Sequence, residues 1–228
     1  MNLVKVSENK LKKEANEILV CEQVPVRKGY ILAKRCMDFM GALCGLIILS
    51  PVFLMVAILI KYEDPKGPVF FKQIRMGKNG RNFYMYKFRS MVTDAEKRLE
   101  DLLIQNEVSG AMFKMKDDPR VTKIGKFIRR TSIDELPQLI NVLKGEMSLV
   151  GPRPPLPREV QEYTNYDRQR LMVKPGCTGI WQISGRSSLS FAEMVELDIE
   201  YIINRNLILD FKIIIKTVGV MLFDKNAY

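Results

Sequence analysis

Apolar and polar positions are interleaved along most of the chain, and the longest interruption runs from Phe39 to Ile60, FMGALCGLIILSPVFLMVAILI, 22 residues without a charge. That length would cross a bilayer as a straight helix. Ser50-Pro51 falls in its middle, and a proline removes a backbone donor and clashes with the preceding turn. The pattern therefore predicts a break, with two arms of about ten residues that are each too short to span. Lys34 and Arg35 precede the run and Lys61 follows it. Basic residues on both flanks suit a segment that enters and leaves on the cytoplasmic face, and a re-entrant helical hairpin satisfies both observations. A kinked spanning helix and a buried core helix are the alternatives. A cleavable signal fits poorly, because the run starts far into the chain and the first thirty residues carry many charges.

After Lys61 the chain turns to mixed charge, opening with the turn-forming EDPKGP from Glu63 to Pro68. VFFKQIR and NFYMYKFR predict two short strands joined by the turn Gly77 to Gly80. Thr93 with Glu96 predicts a capping box and a helix through about Glu107. Ile124, Phe127 and Ile128, with basic residues between them, predict an amphipathic helix over Val121 to Arg130. TSIDELPQL comes next. Ser132 followed by Glu135 reads as another capping box, and Leu136, Leu139, Ile140 and Leu143 follow at helical spacing up to the stop at Lys144-Gly145. Beyond the proline-rich GPRPPLP, helices are predicted over about Pro157 to Met172 and Phe191 to Asn204. Leu207 to Phe223 is apolar but interrupted by Asp210, Lys212 and Lys216, which suits a helix lying on a surface.

The 228 residues leave room for one good-sized domain, and a net charge of +10 implies an acidic partner such as phosphate, nucleic acid or an anionic membrane face. The count of histidines is 0, which removes the usual general base near neutral pH and the commonest zinc ligand. Cys21, Cys36, Cys44 and Cys177 show no CxxC spacing, so free thiols facing a reducing cytosol are expected rather than a metal site or a disulfide framework.

Chemistry then falls to the acid pair Asp134-Glu135 and the cations near it in sequence. Lys87 and Arg89 end the second predicted strand, Arg129 and Arg130 lie within five residues of Asp134, and Arg153 is held between prolines. Prolines on both sides would present Arg153 with little entropy left to lose, and its planar fork suits a phosphate. Nearby positive charge is expected to keep the acids ionised. An ionised Asp can attack phosphorus, provided arginine, lysine and magnesium neutralise the oxygens. Each feature also has a plain structural reading: a helix cap, a solvent-facing strand edge, a solvated helix end, a polyproline turn.

These segments together resemble the bacterial sugar transferase family, the monotopic polyprenyl-phosphate phosphoglycosyl transferases, from about Ile31 to Tyr228. The matching pieces are KRCMD (Lys34 to Asp38), the apolar run with its Ser-Pro, YKFRSM (Tyr86 to Met91), the long block from Asp117 to Pro154, and VKPGCTGIWQISGRSSLSF (Val173 to Phe191). The resemblance implies an α/β, mostly helical fold, a single cytoplasmic catalytic domain with an N-terminal re-entrant membrane hairpin broken at Ser50-Pro51 and interfacial amphipathic helices. Divided that way, 1–30 is a tail matching nothing, 31–61 the anchor and 62–228 the catalytic domain. The implied reaction moves a sugar 1-phosphate from a UDP-sugar to a polyprenyl phosphate such as undecaprenyl phosphate, on the cytoplasmic leaflet of the bacterial inner membrane, and releases UMP. It would begin a surface polysaccharide or glycoconjugate. By resemblance Asp134 is the nucleophile, Glu135 helps hold Mg2+, Arg129 and Arg153 bind phosphate, and Lys87 is a basic strand residue of the site. Gly185 and Arg186 are assigned to the nucleotide. Longer family members carry a bundle of spanning helices ahead of this core, and functions residing there are not expected here.

The ending with GRSSLSF and DKNAY is similar to members that transfer glucose or galactose 1-phosphate, with an N-acetylated sugar left open. Oligomeric state is open too, a homodimer included, because apolar patches for lipid and for a partner look alike. Two rival readings stand: a membrane-tethered basic module that binds nucleic acid or anionic lipid, and a scaffold whose acids only start a helix. The favoured reading involves no nucleic acid.

Overall fold

The structure, a computed structural model, describes residues 28–95, 97–98, 102, 115, 118–185 and 189–223. It begins with two helices, α1 (Lys28–Ile48) and α2 (Ser50–Glu63), bent against each other by 59°. The reason for the bend is local. Pro51 has no N–H to give Ile47, and the carbonyl left over accepts instead from the Ser50 hydroxyl at 2.8 Å. No single described helix is long and apolar enough to cross a membrane, whereas the bent pair passes that test together. Its two sides differ. Leu32, Met40, Ile48, Leu54 and Ile58 are exposed, while Ala42, Val56 and Ile60 are buried against the rest of the protein.

Strands β1 (Phe70–Met76) and β2 (Asn82–Phe88) form an antiparallel hairpin in which Phe70 faces Phe88 and Met76 faces Asn82. The turn between them is closed by Asn79 and Gly80 in the left-handed region, at φ 57° and 72°. Helix α3 (Lys123–Arg130) starts where Thr122 accepts from the Gly125 amide at 2.9 Å. Next come a 3-10 turn at Ile133–Glu135 and α4 (Gln138–Lys144), which stops at Gly145 with φ 79°. Strand β3 (Ser148–Val150) pairs in parallel with β4 (Gly176–Thr178), a second sheet that the sequence pattern did not announce.

The single helix expected over Pro157 to Met172 is three pieces: α5 (Pro157–Gln161), α6 (Asn165–Arg168) and a 3-10 turn at Gln169–Met172. Thr164 causes the break. Its hydroxyl accepts from the Asp167 amide at 3.2 Å, and Asp167 accepts from the Thr164 amide at 2.8 Å, so a new helix starts there. Helices α7 (Ile180–Ser184), α8 (Phe191–Asn204) and α9 (Leu207–Phe223) complete the chain, the last two with the bounds expected. Most of the helix predicted beyond Thr93 lies outside the described residues, and Thr93 to Ala95 form a turn. The fold is thus mostly helical with two small sheets.

Three buried clusters hold these elements together. Val56 and Ile60 of α2 pack with Phe88 and Ile128, and Ala42 of α1 packs with Phe83, Met85, Val142 and Met147. Val195, Ile199, Tyr201 and Ile202 of α8 close on Ile213 and Val150. Fully burying one such aliphatic or aromatic side chain is worth ~1.5–3 kcal/mol. The bent α1–α2 pair therefore supplies part of the core that carries the rest.

Candidate active site

The site is assembled by α4, β2 and the turn before α4. Asn141 of α4 is fully buried. It accepts from the Tyr86 amide at 3.0 Å and donates to Tyr84 O and Glu146 Oε2, both at 2.7 Å. All of its hydrogen-bonding capacity on β2 is spent on the backbone around Lys87, which fixes that residue opposite the turn. Arg35 of α1 donates to the terminal carbonyls of α4, Val142 O at 2.7 Å and Leu143 O at 2.8 Å. Asp38 accepts from Ser148 Oγ and the Leu149 amide, both at 3.0 Å. Both ends of the site layer are thereby tied to the hairpin.

The capping box expected at Ser132 is not formed. Ser132 sits in the left-handed region at φ 56°, makes no side-chain cap, and the helix starts only at Gln138. The physical reason is the sharp reversal between α3 and the following turn, which a cap residue in extended conformation could not make. In its place Asp134 and Glu135 occupy the 3-10 turn, with Ile133 packed beside Ile128 and Phe88 as its anchor. Ser132 holds a conformation that costs a non-glycine residue of order 1 kcal/mol, next to the residues with the most chemistry.

Lys87 Nζ lies 2.6 Å from Glu135 Oε1 and 3.9 Å from Asp134 Oδ2. One acid is thus directly paired and the other only faces the charge. The Asp134 side chain is 10% exposed and that of Glu135 45%. Desolvation dominates at Asp134 and, with the Glu135 charge beside it, pushes the carboxyl up to about 6 against the pull of Lys87 and Arg129. The expectation that neighbouring cations would lower it is reversed in direction, although the group remains mostly ionised at neutral pH. Desolvation also acts upward on Glu135, but the Lys87 charge and hydrogen bond, with Arg153 and Arg75 behind them, outweigh it and hold Glu135 below the usual carboxylate range.

Arg153 is delivered by a segment gripped from both flanks. Gly176 donates its amide to Pro152 O at 2.8 Å, Gly151 donates to Thr178 O at 2.9 Å, and on the far side the Met76 amide donates to Pro155 O at 2.9 Å. A Cβ on Gly151 would lie 2.6 Å from Lys174 O, so only glycine lets the two backbones approach this closely. Lys87, Arg129 and Arg153 thus all reach the dyad, the first by contact and the other two by their charge on Asp134 and Glu135 respectively. Arg89 does not join them; it pairs with Asp64 at 2.7 Å and locks the end of α2. Gly185 ends α7, which packs on α8 and α9, and Arg186 lies outside the described residues. The sequence reading missed Arg75, whose guanidinium is buried on β1 and whose charge also acts on Glu135.

No cluster of three or more His, Cys, Asp or Glu forms among the described residues. Two adjacent carboxylates, one of them half exposed, instead make the oxygen donor set that suits a magnesium ion completed by waters and phosphate oxygens. A buried acid facing a cation without a close pair to it, a paired acid and a rim of arginine and lysine make a surface whose chemistry suits a phosphate or diphosphate.

Comparison with known proteins agrees. The family model described as bacterial sugar transferase matches residues 29–224. The chain is 51% identical over 200 residues to a galactosyl transferase CpsE of Streptococcus agalactiae, covering 87% of this chain and 44% of that one. It is 44% identical over 199 residues to an undecaprenyl-phosphate galactose phosphotransferase of Salmonella typhimurium, covering 86% and 41%. With an exopolysaccharide production protein ExoY of Rhizobium meliloti it shares 40% over 201 residues, covering 86% and 88%. This chain therefore belongs to the bacterial sugar transferase family. It spans less than half the length of the first two relatives and most of the third.

Proposed function

We propose that the protein transfers a sugar 1-phosphate from a UDP-sugar to a polyprenyl phosphate, undecaprenyl phosphate in a bacterium, releasing UMP and starting a surface polysaccharide. The observation that carries this is the division of labour in the dyad: Asp134 buried and facing Lys87 at 3.9 Å, Glu135 paired to it at 2.6 Å. The Asp134 carboxylate attacks the phosphorus that bears the sugar, and the bond to the bridging oxygen breaks. UMP leaves with that oxygen, and an aspartyl phosphosugar remains. A phosphate oxygen of the polyprenyl phosphate then attacks the same phosphorus and frees Asp134. Lys87, Arg129 and Arg153 hold the phosphate oxygens in place and offset the charge that gathers on them. Magnesium, held by Asp134 and Glu135, would supply further neutralisation of the diphosphate.

The bent α1–α2 pair is read as a re-entrant hairpin in the cytoplasmic leaflet of the inner membrane, and α9, with Ile208, Phe211 and Ile215 exposed, as a helix lying in the interface. The relatives named for galactose support UDP-galactose as the first donor to try, with UDP-glucose next. The deciding experiment incubates purified protein, magnesium and undecaprenyl phosphate with a panel of UDP-sugars and measures UMP. Release with one hexose donor, abolished by Asp134→Asn, is expected. Normal release by Asp134→Asn would remove the nucleophile assignment, and no release with any donor would leave the non-catalytic binding reading. Tags at both ends of the chain should label only from the cytoplasmic side; outside labelling of one end would defeat the re-entrant reading.

A further inference from the structure

Arg75 is an unusual residue for a buried position near the turn end of a two-stranded hairpin. It is 5% exposed, and arginine is seldom buried so deeply without an acidic partner. Among the described residues no carboxylate lies within ion-pair distance of it. Its donors go to neutral acceptors: Nε and Nη2 to Gln73 Oε1 at 3.2 and 2.7 Å, and Nη1 to Pro154 O at 3.0 Å. Gln73 and Arg75 lie two apart on β1, so both side chains stand on one face, and the amide braces the guanidinium like a bracket. Pro154 is the residue after Arg153. Desolvation and the like charge of Arg153 act against the Arg75 cation, and the more distant charges of Glu159 and Glu135 only partly offset them. A hydrophobic residue could have filled this position on β1 without that opposition, so the arrangement is accounted for by what the fork grips.

We infer that Arg75, braced by Gln73, is a positioning residue that fixes the backbone after Arg153 and thereby aims the Arg153 guanidinium at the phosphates of a nucleoside diphosphate. This rests on the transferase reading only in its choice of ligand. The segment Gly151 to Pro155 is fixed by backbone bonds to β4 on one side; on the other it has the Met76 amide and the Arg75 fork. A fork that grips two acceptors at once is something lysine cannot copy, so the geometry and not the charge is the essential property.

The test uses the full-length protein with UDP and magnesium, reading UDP affinity by calorimetry beside UMP release. Arg75→Lys keeps the charge and is expected to weaken UDP binding by about tenfold or more, the scale of losing a supporting partner behind a ligand-binding side chain. Arg153→Met should weaken it at least as much, and the double variant no further than Arg153→Met alone. Wild-type affinity in Arg75→Lys, or losses that multiply in the double variant, would overturn the inference. Should Arg75→Lys fold poorly, Gln73→Leu takes its place: it removes the brace, and its loss should vanish in the Arg153→Met background. A loss undiminished there would again overturn it. Wild-type protein that binds UDP yet releases no UMP from any UDP-sugar would sink the transferase reading and leave this cycle readable. Wild-type protein that does not bind UDP would overturn both.

Discussion

Asp134 and Asp210 are both buried aspartates, and they are built in opposite ways. Asp210 is 0% exposed and saturated: Tyr30 and Lys34 donate to Oδ2 at 3.0 and 3.1 Å, and Tyr201 donates to Oδ1 at 2.7 Å. Those three donors come from α1 and α8, so one carboxylate joins α1, α8 and α9. Asp134 has been taken out of water with weaker compensation among the described residues, the charges of Lys87 and Arg129 and a backbone hydrogen bond, and its nearest cation prefers its neighbour. A filled shell makes a buried charge a fastener, while an unfilled one leaves lone pairs for a ligand or an electrophile.

Replacing Asp134 by Asn should separate the two most sharply. UMP release is expected to fall by at least about a thousandfold, since the proposed covalent route is lost, while the melting temperature holds or rises. The direction of the stability change follows from protonation. The folded-state carboxyl sits at about 6, above its ordinary 3.8, so the stability it contributes is full below 3.8 and is lost as pH rises through about 6. In metal-free protein the advantage of Asp134→Asn should accordingly grow between pH 4 and 7 and disappear in acid, which denaturation at several pH values checks. Asp210→Ala should do the reverse. Removing it takes away the shared acceptor of Lys34 and two tyrosine hydroxyls, leaving Tyr201 with Val150 O and Lys34 with Asp38 at 4.0 Å, a loss of about 3–5 kcal/mol in chemical denaturation, with turnover per folded molecule near normal. A large drop in turnover would mean that Asp210 is more than a fastener.

Lys87→Met should cost about a hundred- to a thousandfold in UMP release, an effect on the scale of one lost electrostatic donor, and it should weaken magnesium-dependent UDP binding rather than melting. Ser132→Gly is expected to be the mildest change. The relief of a left-handed φ and the greater freedom of the unfolded glycine nearly cancel, leaving stability within about 1 kcal/mol of wild type. A larger loss would show that the serine hydroxyl has work of its own in the turn.

The parts legible in the sequence were those written in local chemistry. Helix α8 keeps the bounds read from its apolar spacing, and the Asn79-Gly80 turn sits between the two runs that form the strands. The break in the apolar run was equally plain, because proline acts within one turn. What was not legible depended on distant partners. Strands of three residues such as Ser148–Val150 and Gly176–Thr178 carry no usable alternation, and their pairing exists only once Gly151 and Gly176 meet. Ser132 had every local sign of a cap, yet the path of the chain from α3 overrode it. Within the site, the dyad and its rim of Lys87, Arg129 and Arg153 could be listed from spacing and resemblance, whereas Arg75 was only the last residue of the run VFFKQIR. The signal available was its place two residues after Gln73, which means nothing until Pro154 is seen to face it.

The bonds from Arg35 to the end of α4 and from Asp38 to β3 bear on anyone wishing to handle this protein in water. Cutting away the first sixty residues would strip the last turn of α4 of its Arg35 hydrogen bonds and β3 of its anchor, and the remainder is expected to lose its fold rather than gain solubility. On the re-entrant reading, a detergent-free version is better made by repainting: polar residues at Leu32, Met40, Ile48, Leu54 and Ile58, whose side chains are exposed, with Arg35, Asp38 and Ala42 left as they are.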